Sequence, residues 1–165
     1  MLLNERGLTL AEILVAVAII GLGLIGLAVV IPVSSYGVQE GNQLSTATFL
    51  GEQMIERARA ATWTSAPAVD CLGVSGAGAP EPSGATCNGV TTTQFPDEAT
   101  AGVGVSGYPQ YTRIVRVTSC APCAGVTSAS MRLVTVTVTY TPLTAAGGQS
   151  AVPKTVRLEW LVSQK

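Results

Sequence analysis

The apolar positions of this chain are concentrated at its start. From Ile13 to Gln39, 27 consecutive positions carry no Lys, Arg, Asp or Glu. A helix of that length extends about 40 Å at roughly 1.5 Å per residue, and a bilayer core is about 30 Å thick. The run therefore predicts a membrane-spanning helix. A secretory signal has an apolar core of only about 7–15 residues before a small-residue cleavage site, so this run is too long for one. No cysteine lies near it, which excludes a lipoprotein anchor. One carboxylate, Glu12, sits at the beginning of the run. Pro32 lacks a backbone N–H and predicts a kink or an end to the helix near there, with Gly37 as a second weak point. Gly21, Gly23 and Gly26 each weaken a helix by about 1 kcal/mol against Ala and are small enough to admit a neighbouring helix.

Beyond this run the periodicity changes. Over 42–62, Leu44, Ala47, Gly51, Met54, Ile55 and Ala58 recur at helical spacing, with Glu52, Glu56 and Arg59 opposite. An amphipathic helix covered by a sheet is predicted. Residues 64–107 are rich in Gly, Pro, Ser and Ala without a sustained period and read as a loop with short strands. Three strands follow, at Tyr111–Thr118, around "LVTVTVTYT" and at Thr155–Val162. In the second, Val134, Val136, Val138 and Tyr140 point to one face and the intervening threonines to the other. "CAPCAGVTSAS" and "PLTAAGGQSAVP" read as turn-rich connections. The pattern is α+β: a long N-terminal helix packed on an antiparallel sheet of three to four strands.

Composition narrows the chemistry. The net charge is −1, which leaves no basic footprint for nucleic acid. Histidine is absent, which removes the commonest general base and any Ser–His–Asp set. No Gly-rich phosphate loop with a lysine is present. Asp97 and Glu98 read as a solvated turn, and Lys154 and Arg157 as surface residues at a strand start. No catalytic residue, metal or cofactor is predicted. Arg6 precedes the apolar run and the next basic residue is Arg57, so the N-terminus is expected in the cytoplasm and the remainder outside the membrane.

Four cysteines, Cys71, Cys87, Cys120 and Cys123, fit disulfides in an oxidising compartment. The pairing Cys71–Cys87 with Cys120–Cys123 closes two local loops and is preferred; a cross pairing is the alternative. CAPC also resembles a thioredoxin-like redox motif, so a membrane-tethered thiol-disulfide protein is the competing reading. That chemistry needs a low-pKa thiolate at a helix N-terminus. A zinc site would prefer a second close cysteine pair.

Gly7, then Glu12 five positions on, then an uncharged helix, resembles the N-terminal signature of type IV prepilins and type II secretion pseudopilins. "RGLTLAEILVAVAIIGLGLIGL" carries the resemblance over its whole length, with Leu8 where that family usually has Phe and with Glu5 beside Arg6 in the leader. The resemblance implies a leader over 1–7, cleavage by prepilin peptidase between Gly7 and Leu8, and methylation of Leu8. It implies a transmembrane and filament-core helix over 8–38 and a periplasmic pilin head over 39–165. That head would comprise a helix at 42–62, a loop at 64–107 and a sheet at 108–165. Glu12 would be the assembly carboxylate, paired with the Leu8 ammonium of a neighbouring subunit. "LSTATFLGEQMIERARA" is similar to minor pilins of the pilus-modification (V-type) group and to I-type pseudopilins. The implied partners are the peptidase, other pilins or pseudopilins and the inner membrane.

Overall fold

A computed structural model describes residues 9–64, 69–76, 81, 82, 86–91, 93–98, 104–142 and 152–165. The elements are a helix α1 (Leu10–Ala60) and three strands, β1 (Tyr111–Cys123), β2 (Val126–Tyr140) and β3 (Lys154–Ser163). The strands form one antiparallel sheet in the order β1-β2-β3. This is the α+β architecture that the alternation of valine and threonine and the helical stripe before it predict, and it is pilin-like as the resemblance implies. By its contacts the chain divides into two units, Met1–Gln39 and Glu40–Lys165.

In the first unit every large apolar side chain from Leu10 to Val38 is exposed. The helix continues across Pro32 and Gly37 without interruption, so of the two outcomes expected there an end to the helix is corrected. A proline removes one backbone donor, and the remaining ladder on either side holds the helical path. Just past it, the Ser34 and Ser35 hydroxyls donate to the carbonyls of Ile31 and Pro32 at 2.9 and 2.8 Å. Hydroxyls that bond inward leave fewer polar groups to be solvated at the end of an apolar segment.

In the second unit α1 lies on the sheet through Ala47, Leu50, Met54 and Ala58, all nearly inaccessible. Against them pack Val115 and Val117 of β1 and Val134, Val136, Val138 and Tyr140 of β2. Leu44, placed in the buried stripe from sequence, is instead half exposed, while Gln43 and Leu50 are buried. Leu44 lies on the flank of the stripe at the end where the sheet begins: the Tyr111 hydroxyl, at the start of β1, donates to the Gln43 carbonyl. The helix stops at Ala60, two residues before the predicted end. Its last carbonyls are met from the far end of the chain, where Lys165 Nζ donates to the Arg59 carbonyl at 2.9 Å. At Gly51 the helix approaches β3 closely enough that a Cβ would stand 2.6 Å from Leu158 Cδ1.

The segment between α1 and β1 contributes to the core as well as connecting it. Trp63, Leu72, Phe95 and Val105 are buried with the sheet residues. Its backbone also covers the outer edge of β1. Val105 N donates to Tyr111 O, Glu98 and Arg113 exchange both backbone bonds, and Ser75 N donates to Val117 O. Arg116 donates to the intervening Val115 carbonyl. An edge strand left bare invites pairing with another chain; here the loop occupies that edge.

Candidate functional site

Helix α1 begins with a capping box. Thr9 precedes the first helical residue, and Glu12 lies three residues on. The Glu12 N–H donates to Thr9 Oγ1 at 3.3 Å. In return the Glu12 carboxylate accepts the Thr9 N–H at 2.8 Å and its hydroxyl at 3.0 Å. The first turn of a helix leaves backbone N–H groups without partners, and this reciprocal T-x-x-E arrangement satisfies two of them. The carboxylate also lies at the positive end of the helix dipole. Sequence reading singled out Glu12 but missed Thr9, although "TLAE" contains the capping pattern. Glu12 shares a helical stripe with Val15, Ala16 and Ile19, and these line a shallow hollow beside it. Gly7 and Leu8, the expected cleavage and methylation positions, lie outside the described residues.

The helix that follows is long and apolar enough to cross a membrane. At Gly21, Gly23 and Gly26 a Cβ would meet nothing within 4 Å. No neighbour among the described residues therefore requires glycine at these positions.

In the head, the structure bonds Cys71 to Cys87 and Cys120 to Cys123. The CAPC motif is not a turn-rich connection, which corrects the sequence reading. β1 runs through Cys123, and the turn is only Ala124–Gly125, with φ of 45° and 77°. Two consecutive positive φ values give the tight hairpin turn whose twist matches the strands it joins. Both cysteines therefore lie at the end of a β-hairpin and not at the start of a helix, the position that lowers a thiol pKa. Among the described residues no His, Cys, Asp and Glu group is arranged to hold a metal ion.

Three carboxylates of the long loop each hold an arginine of the sheet, which corrects the reading of Asp97 and Glu98 as solvated. Arg116 bonds both oxygens of Asp97 at 2.6 and 2.7 Å. Arg113 reaches Glu98 at 2.6 Å. Arg132 bonds both oxygens of Asp70 at 2.7 and 2.9 Å and lies 4.0 Å from the Trp63 ring centroid. Asp70 also accepts the N–H groups of Leu72 and Gly73. Burial opposes ionisation of Asp70, but the bonds from Arg132 and the two backbone donors outweigh it and hold the carboxyl below the usual range. Sequence reading missed these pairs because nothing local links a carboxylate to an arginine up to 62 positions away. Lys154 and Arg157 are exposed, as expected; Lys154 is paired with Glu40, and Arg157 with Glu159 on its own strand.

Neither a curated protein nor a solved structure shows a significant match to this chain. Residues 2–28 match the family described as the prokaryotic N-terminal methylation motif. That stretch includes Gly7, Leu8, the Thr9–Glu12 cap and the first turns of the apolar helix. The chain thus carries a prokaryotic N-terminal methylation motif at the head of a long apolar helix, consistent with a type IV pilin-like protein.

Proposed function

We propose that this chain is a prepilin-type precursor of a structural filament subunit, either a minor pilin of the V-type group or an I-type pseudopilin. It enters the inner membrane once, with its N-terminus in the cytoplasm and its head in the periplasm. Prepilin peptidase cuts between Gly7 and Leu8, and Leu8 is methylated. The trimmed helix then leaves the bilayer for the core of a pilus or pseudopilus, with Pro32 as its point of flexure. The methylation motif running into an exposed, uncharged helix carries this reading. A side chain that is apolar, exposed and repeated on every face of a helix needs lipid or other helices around it. The open space above Gly21, Gly23 and Gly26 supports close approach by helices of other subunits.

Glu12 has two roles in this scheme. Before cleavage it caps its own helix through Thr9. After cleavage a free ammonium appears at Leu8, and the carboxylate of one subunit pairs with the ammonium of the next. Leaving either charge alone in apolar surroundings costs several kcal/mol, so the pair selects register. The head contributes no catalysis; it contacts other subunits. The deciding experiment is N-terminal mass analysis of the protein extracted from membranes of cells with an active prepilin peptidase. A mature chain beginning at methylated Leu8 is expected, and an intact Met1 would overturn the proposal.

A further inference from the structure

The two edges of the sheet are treated differently. The loop covers β1, whereas β3 has no backbone partner on its outer side among the described residues. Along Leu158–Leu161 this open edge is flanked by two hollows, one on each face. On the helix side, about 350 Å³ opens between α1 and β3, with Ile55 and Leu158 beneath and Trp160 beside them. Glu52, Glu56 and Arg59 rim it. On the opposite face, about 330 Å³ is lined by Leu133, Leu161, Glu159 and Ala124 of the hairpin turn, with Trp160 on the edge that both hollows share. The faces follow from register: Leu133 lies opposite Leu161, while Trp160 lies opposite the fully buried, helix-facing Val134. Trp160 is 45% exposed.

We propose that β3 is a docking edge for an extended segment of a partner protein in which apolar and basic side chains alternate. A strand added to an edge gains main-chain hydrogen bonds, and its successive side chains point to opposite faces. One such residue enters the Leu133–Leu161 hollow as its neighbour enters the helix-side hollow. Charge selects the basic member. Arg59 is engaged by Glu56 and stacked over Trp160, and Glu159 is engaged by Arg157. Glu52 has no ion-pair partner among the described residues and faces the helix-side hollow. A lysine or arginine there meets the Glu52 carboxylate, beside the Trp160 ring that Arg59 already covers.

The test uses the full chain in detergent micelles and three capped heptapeptides. One alternates valine and lysine; one has the same composition in two blocks; one alternates but is N-methylated along the pairing edge. Tryptophan fluorescence, read against Trp160→Ala in which only Trp63 remains, reports binding at Trp160, and amide hydrogen exchange locates it. The alternating peptide is expected to bind and to protect amides of β3, and the other two to bind at least about tenfold more weakly. Glu52→Gln is expected to weaken the alternating peptide about fivefold. Both Glu52 and Trp160 are surface residues, so the variants Glu52→Gln and Trp160→Ala leave the core intact. Equal binding of the blocked or N-methylated peptide overturns the proposal, as does protection that spares β3. Self-association that protects β3 without any peptide also overturns it, by making a second copy the occupant.

Discussion

Arg113 Nε lies 2.6 Å from Glu98 Oε2, and this contact joins the long loop to the interior of the sheet. The Arg113 side chain is only 4% exposed. Its Nη1 donates to the Leu50 carbonyl at 3.0 Å and to Gln53 Oε1 at 2.9 Å on α1. One guanidinium thus ties helix, strand and loop, and its planar fork of donors suits it to three acceptors at once.

Arg113→Met retains the apolar stem and removes every one of these bonds. It is expected to destabilise the head by about 3 kcal/mol, because one partner of a buried pair is lost and the Leu50 carbonyl loses a donor. Glu98→Gln is expected to cost less, since the glutamine oxygen still accepts from Arg113 Nε and the two bonds to α1 persist. Denaturant unfolding in micelles measures both, and a double-mutant cycle should return a coupling of about 1–2 kcal/mol. Additivity of the two changes would show that the contact is energetically silent.

Acid should loosen the head through Asp70. Its folded-state carboxyl titrates below the unfolded value of about 3.9. The stabilisation is therefore fully present above that value and is lost as pH falls through the lower folded value. Unfolding curves from pH 7 down to acid should show the loss, and Asp70→Asn should lower stability at neutral pH while flattening the acid decline. A variant with an unchanged acid limb would remove Asp70 from the account.

The two disulfides should differ in weight. They close over sequence separations of 16 and 3 residues. Loop-closure entropy assigns roughly 3 kcal/mol to the longer and roughly 1.6 kcal/mol to the shorter. Cys71→Ala with Cys87→Ala should accordingly lower Tm more than the serine pair at the hairpin, Cys120→Ser with Cys123→Ser, once the latter is corrected for the burial of Cys120 by comparison with an alanine pair. Equal losses would mean that local packing, not chain entropy, dominates.

The cap and the assembly carboxylate can be separated. Thr9→Val removes the hydroxyl that Glu12 uses as both donor and acceptor, and loss of such a cap costs about 1 kcal/mol. Faster hydrogen exchange over the first helical turn is the expected sign, with cleavage preserved. Glu12→Ala should likewise leave cleavage intact but impair incorporation into filaments. Normal filament incorporation of Glu12→Ala would refute the pairing with the neighbouring Leu8 ammonium.

The sequence alone determined the elements whose signals are local. The uncharged run from Ile13 to Gln39 is continuous, while the helical stripe through Ala47, Met54 and Ala58 and the valine–threonine alternation of β2 are each periodic within a single element. Periodicity reports burial directly, so the α+β class was legible. The methylation motif was equally legible, because Gly7, Leu8 and Glu12 lie within one short stretch. Leu44 shows the limit of that reading: the stripe predicts which side of a helix faces inward, but not where the covering sheet ends. The pairing of Asp70, Asp97 and Glu98 with Arg132, Arg116 and Arg113 was decided only in the tertiary structure. So were the burial of Leu72 and Phe95 and the covering of β1 while β3 stays open on its described side. These depend on which distant segments the fold brings together, and an irregular chain without a period carries no local record of its neighbours.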